Sequence, residues 1–447
     1  MINYEKPWEP GKLRVSENGR YLMNGGEPFF WLGDTAWLLF QKLTILETAR
    51  YLKDRKEKGF NIILADFLHG ADSSNLSGST ALLEGDFARP NLTGNYWEQV
   101  DQVIHMAEEL GLYMGILPAW GSSVIKSGAL NLKNVDEYTQ FIIDRYGACP
   151  NIVWILGGDV RGDVNEAVVD RMGQRMKELN PEKLVAYHPF GRTSSSLWHH
   201  EKEWLDFNMF QSGHRRYDQA SLGAWDDNAI KEDYYGEDVW RYVQRDYARK
   251  PAKPTIDGEP SYEHILQGLH DESQPYWQAG DVRRYAYWSV FAGAFGHTYG
   301  DNSVMQFFRK DERKGAFGVK DDWVTGLGHP GAFQMTYLQQ LMRSVSFTKG
   351  KAAQELLEGD PGEKYDYISV FAGEEFILCY NYSGRPFSIS LDQYQGAVLE
   401  AFWFDPESGI TSFAEAFQDR KSFVALPPKK DGDRDYVLII KKKQGKR

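Results

Sequence analysis

Eight short apolar runs, most of them followed by a longer stretch of helical periodicity, occupy the chain from residue 29 to about 300. The runs cover 29–34, 61–67, 112–120, 151–159, 184–189, 205–211, 254–259 and 294–300. Helical patterns lie between them at 43–58, 96–110, 135–146, 166–179, 237–250 and 278–292. Thr44 suits an N-cap, and Gly59 and Gly111 suit the stops of the first two helices. Strands that are apolar along their whole length must be covered on both faces, which requires a parallel sheet with helices around it. Eight strand–helix repeats in this length predict a closed (β/α)8 barrel. An open doubly wound sheet is the competing architecture, but no Gly-rich phosphate loop follows the first run.

A helix around 336–341 closes this region. Beyond about residue 350 the pattern changes to strand-like segments at 365–371, 375–380, 387–391, 399–404, 422–426 and 435–440, separated by turn signals. These predict a small antiparallel β-sandwich. Two domains are expected, a barrel over 1–345 and a sandwich over 350–447. The turn-rich stretch 11–28 is expected to form a hairpin under the barrel.

The 447 residues carry a formal net charge of −12. That argues against nucleic acid or an anionic membrane as partner, since both require a basic face. Cys149 and Cys379 are the two cysteines, too few for a disulfide framework or a cysteine metal site. No His-x-His occurs, and neither a metal nor another cofactor is expected. The N-terminus has no apolar export segment, so the chain reads as cytoplasmic, or as periplasmic or secreted if a leader has been removed. Oligomeric state is not legible.

In a (β/α)8 barrel the reacting groups come from the C-terminal ends of the strands. Those ends carry Asp34 and Trp37, Asp66 and His69, Trp120, Asp159, His188, Gln211 and His214, Glu259 and Tyr262, and His297 and Tyr299. Asp159 and Glu259 each close an apolar run directly after a glycine, and strands four and seven face each other across such a barrel. Burying a lone carboxylate is costly, so two delivered to one pocket suggest a working pair. Carboxyls about 5 Å apart on either side of a glycosidic bond give retention, and a gap above about 6.5 Å admits water and gives inversion. Asp159 is assigned as acid/base and Glu259 as nucleophile. Substrate-binding roles are expected for Asp34, Trp37, His69, Trp120, His188, His214, Tyr262 and His297. The bland alternatives are a helix cap for Asp34 or Asp159, a salt bridge for Glu259, and core packing for the rings.

Several segments are similar to those of a known family. They are Phe29-Phe-Trp-Leu-Gly-Asp-Thr-Ala-Trp37, Pro150-Asn-Ile-Val-Trp-Ile-Leu-Gly-Gly-Asp159, Asp257-Gly-Glu-Pro260 and Gly296-His-Thr-Tyr-Gly300. Together they resemble the apiosidase-like glycoside hydrolases, in which a barrel precedes a small β-sandwich labelled collagen-binding. Ala401-Phe-Trp-Phe-Asp-Pro-Glu-Ser-Gly409 resembles that sandwich's signature. The resemblance implies a retaining mechanism, with the acid/base after strand four and the nucleophile after strand seven, where Asp159 and Glu259 stand. It implies a carbohydrate substrate and, from the family's characterised activity, release of a sugar from branched pectin. The expected function is therefore removal of a terminal or side-branch sugar from plant-type, including pectic, oligosaccharides. A non-catalytic carbohydrate-binding barrel is the alternative.

Overall fold

The computed structural model describes residues 4–219, 235–312, 314–428 and 435–443. Eight parallel strands form the barrel wall: β1 (Trp31–Thr35), β2 (Ile62–Asp66), β3 (Tyr113–Leu117), β4 (Ile152–Gly157), β5 (Val185–His188), β6 (Asn208–Gln211), β7 (Thr255–Asp257) and β8 (Gly296–Tyr299). Every residue in them is buried. Their order is β5-β4-β3-β2-β1-β8-β7-β6, and a short strand, Thr193–Ser194, pairs antiparallel with β6 on its free edge. Between β5 and β6 the ladder is replaced by Asp206. Its backbone N–H donates to the Val185 carbonyl (2.9 Å), and its carboxylate accepts from the Val185 N–H (2.6 Å). The barrel is thus nearly closed.

Helices Val135–Tyr146 and Glu166–Leu179 have the bounds their periodicity predicts. In helix Ile45–Glu57, Thr44 and Glu47 form a reciprocal capping box. Gly59 (φ 81°) and Gly111 (φ 64°) end their helices in the left-handed region, as the sequence anticipates. The last barrel helix, Pro330–Arg343, is longer than expected, and Pro330 occupies its first turn without a lost hydrogen bond. Residues 11–28 give a three-stranded sheet, Leu13–Val15, Leu22–Asn24 and Glu27–Phe29. Asn24 there accepts a hydrogen bond from Tyr113 at the start of β3, which places the sheet under the barrel's N-terminal face.

The C-terminal region is a six-stranded antiparallel sheet and a three-stranded one. The strand Thr411–Gln418 escaped the sequence reading because, as an exposed edge strand, it has no apolar face to announce it. This region packs on barrel helix Ala279–Phe291. Buried Arg283 makes two bonds to buried Asp435 (3.0 and 3.1 Å) and Tyr287 stacks with Tyr380, while on the neighbouring helix Val239–Ala248 Trp240 stacks with Tyr367 at 3.8 Å. Among the described residues, no helix is long and apolar enough to cross a membrane.

Candidate active site

The C-terminal end of the barrel opens into a cavity of about 680 Å³, within the usual range for small-molecule sites. Asp159 and Glu259 both line it, as do Trp37, His69, Trp120, His214 and Tyr262.

Asp159 reaches the cavity by a sharp turn. Gly157 (φ 81°) and Gly158 (φ 111°) take conformations that disfavour side chains, and a Cβ on Gly157 would lie 2.3 Å from the His188 carbonyl oxygen. The close approach is used: the Gly158 N–H donates to that same oxygen (3.0 Å). Asp159 follows at φ 49°. On the other side, β7 ends in Asp257-Gly-Glu259, and a Cβ on Gly258 would strike Met209.

Two imidazoles hold Glu259. His214 Nε2 lies 2.9 Å from Oε1. His188 Nε2 lies 3.0 Å from Oε2, a short contact that lacks the alignment of a full hydrogen bond. The Asp159 N–H points to His188 Nδ1 (3.4 Å), so that nitrogen is the acceptor and the proton sits on Nε2, facing Glu259. One ring therefore links the Glu259 carboxylate to the Asp159 backbone.

The carboxyls are biased in opposite directions. Burial works against the Glu259 charge, but His188 and His214 more than offset it and hold the group down at about 2. Burial, then the Glu259 charge, raises Asp159 to about 6 against the pull of His188, His214 and Gln211. Beneath them, burial lifts Asp257 to about 8, where it pairs with the Ser212 hydroxyl. Such a split is the usual electrostatic arrangement of an acid and a nucleophile working together.

An aromatic wall runs beside the pair. Trp37 meets Trp120 at 4.9 Å and His188 edge-on at 5.3 Å, and His69 stacks on Trp120. His69 is anchored by Asp66 (2.9 Å). Tyr262 lies edge-on to His214 at 4.8 Å.

Two expected site residues lie elsewhere. Asp34 is fully buried and points to the helix layer, where it accepts from Tyr51 (2.5 Å) and Arg55 (2.7 Å). His297 is also fully buried, without a hydrogen-bond partner among the described residues, and burial lowers it to about 3. The reason is strand parity. Gly33 and Thr298 face the barrel interior beside Trp31, so their neighbours Asp34 and His297 face outward. Conversely, Lys126, Arg192, Arg215, Phe190 and Phe317 line the cavity and were not anticipated. The basic pair after His214 was the one available hint.

Comparison with known proteins gives the family and the fold. Residues 16–349 match the family model described as "Apiosidase-like, catalytic domain", and 352–441 match "Putative collagen-binding domain of a collagenase". A solved structure named only as a glycoside hydrolase is 41% identical over 98% of both chains, with a TM-score of 0.93. A glycoside hydrolase family 5 structure from Bacteroides vulgatus is 40% identical over 99% of this chain and 95% of its own, with a TM-score of 0.90. A further structure from that organism, described as "a putative glycoside hydrolase", shares the fold at 14% identity, over 98% of this chain and 83% of its own, with a TM-score of 0.67. No protein with a curated description matches in sequence. The chain belongs to the apiosidase-like family and is a glycoside hydrolase.

Proposed function

We propose that the enzyme is a retaining glycosidase in which Glu259 is the nucleophile and Asp159 the acid/base. The observation that carries this reading is the opposed bias of two carboxyls that line one cavity, with Glu259 held ionised beside His188 and His214 and Asp159 able to hold a proton near neutrality. Glu259 attacks the anomeric carbon while Asp159 gives its proton to the departing oxygen. Esterification then removes the Glu259 charge, and with it one cause of the raised Asp159 pKa. Asp159 stays ionised and accepts a proton from the incoming water, whose oxygen displaces Glu259. Two inversions at one carbon leave its configuration unchanged.

Trp37 and Trp120 suit the apolar face of a sugar ring, and His69 and Tyr262 suit its hydroxyls. The substrate is a terminal or side-branch sugar on a plant-type, including pectic, oligosaccharide. Lys126, Arg192 and Arg215 support the pectic part, because they bring positive charge to a cavity in a chain of net charge −12, and uronates are anionic. On the same reading, residues 1–345 form the catalytic unit and 350–447 a brace against it. The loop at 73–92 is assigned to the cleft around the chain end; of the loop at 217–237, residues 220–234 lie outside the described residues.

A panel of aryl glycosides and pectic oligosaccharides, followed by NMR of the first-formed product, tests the proposal. Retained anomeric configuration is expected. Inverted product would overturn the nucleophile assignment, and internal cleavage of a polymer with side branches untouched would overturn the substrate assignment.

A further inference from the structure

Three side chains meet beside the cavity on segments that are remote in sequence. His264 lies in the loop after β7, Asp321 in the segment after β8, and His329 immediately before helix Pro330–Arg343. His329 Nε2 is 3.6 Å from Asp321 Oδ2, and His264 Nδ1 is 4.0 Å from the same oxygen. One ligand atom from each residue lies within 4.8 Å of the others. Tetrahedral ligands about 2.1 Å from a zinc ion stand about 3.4 Å apart, so only a small contraction is needed.

The surroundings prepare the imidazoles as ligands. His329 Nδ1 lies 2.6 Å from Oδ2 of fully buried Asp301. A carboxylate oxygen accepts, so Nδ1 donates and Nε2 turns toward Asp321. Asp301 is itself fixed, since its Oδ1 accepts from the backbone N–H groups of Ser303 (2.9 Å) and Val304 (3.1 Å). A carboxylate behind a histidine in this way orients a metal-binding ring. His264 is pinned through its backbone: its N–H donates to the Trp277 carbonyl (2.9 Å) and its carbonyl accepts from Asn302 (3.2 Å).

We propose that His264, Asp321 and His329 bind a divalent transition-metal ion of the zinc class, with a further position for solvent. Two imidazoles and one carboxylate are the donors such an ion takes. The ion ties the loops after β7 and β8 to the last helix. Those loops carry Tyr262, Ile265 and Phe317, which line the cavity, so the metal stiffens the cavity wall and takes no part in bond cleavage. A second cluster, Glu166, Asp170 and His199, is different. There Lys202 already pairs with both carboxylates, and its ammonium fills the place of a cation.

The full chain, free of any affinity tag and stripped of metal, is titrated with zinc chloride by calorimetry and with cobalt(II) by visible absorption. One ion per chain is expected, with the absorption of a nitrogen- and oxygen-ligated cobalt and a rise in melting temperature. His264→Ala and Asp321→Asn should each abolish that binding, and Asp301→Asn should weaken it about 10- to 100-fold. Failure of the unmodified chain to bind either ion would overturn the proposal, and so would binding that persists unchanged in both His264→Ala and Asp321→Asn.

Discussion

Asp34 and Glu259 are both carboxylates at the mouth-ward ends of barrel strands, and their side chains are 0% and 10% exposed. Their partners differ. Asp34 meets Arg55, a fixed cation, and the Tyr51 hydroxyl on a covering helix. Burial opposes both charges: Asp34 more than offsets it at Arg55, whereas at Asp34 burial outweighs the pull of Arg55 and Tyr51 and raises the carboxyl, so the pair is defined by its 2.7 Å contact inside a sealed layer. Glu259 meets two imidazoles and opens on a cavity. Burial alone therefore does not mark a reacting acid. What marks one is charge held by donors that leave an approach for substrate.

The sharpest way to break this comparison is to neutralise each acid. Glu259→Gln should lower turnover by about 10⁴-fold or more, as losses of nucleophiles do, while melting temperature is kept, because the amide still meets His188 and His214 without a buried charge. Kinetics and calorimetry on one preparation check both. Asp34→Ala should do the reverse. It takes from the buried Arg55 guanidinium its fully buried partner, leaving Asp54 and the Leu327 carbonyl, and should cost about 3–5 kcal/mol of stability, read by denaturant unfolding, with turnover of the folded fraction largely kept. If Asp34→Ala abolishes turnover in folded protein, the division between the two acids is wrong.

A smaller effect sharpens the role of the histidines. A hydrogen bond to a charged group contributes about 1.5–3 kcal/mol, and about 1.4 kcal/mol corresponds to one pH unit. His214→Asn should therefore raise the acidic limb of kcat/KM by about one to two units. The intact enzyme gives the reference profile. On the proposed roles Glu259 must be ionised, so activity rises as pH increases through about 2. On the same roles Asp159 must be protonated, so activity falls as pH increases through about 6. The two limbs belong to the coupled pair. A basic limb that stays in place when Asp159 is changed to Asn would remove it as the proton donor.

The legible parts of the molecule are those with local causes. Continuous burial makes β1 to β5 read as strands, 3.6-residue periodicity fixes Val135–Tyr146 and Glu166–Leu179, and the glycine–acid ends of β4 and β7 single out Asp159 and Glu259. Long-range causes hide the rest. Whether a strand residue faces the cavity or the helix layer turns on a shift of one residue, and that turns Asp34 and His297 away, whereas the Gly157–Gly158 turn beyond β4 aims Asp159 inward. Lys126, Arg192 and Arg215 reach the cavity from separate loops, and no spacing in the chain relates them. His264, Asp321 and His329 likewise become neighbours only after the barrel has closed. By itself the sequence determined the barrel, the sandwich and the placing of Asp159 and Glu259 at the cavity, because periodicity and glycine placement act within a few residues. Tertiary structure alone decided which charges are sealed, which are open and which histidines hold Glu259, because burial and charge pairing depend on what the folded chain brings alongside.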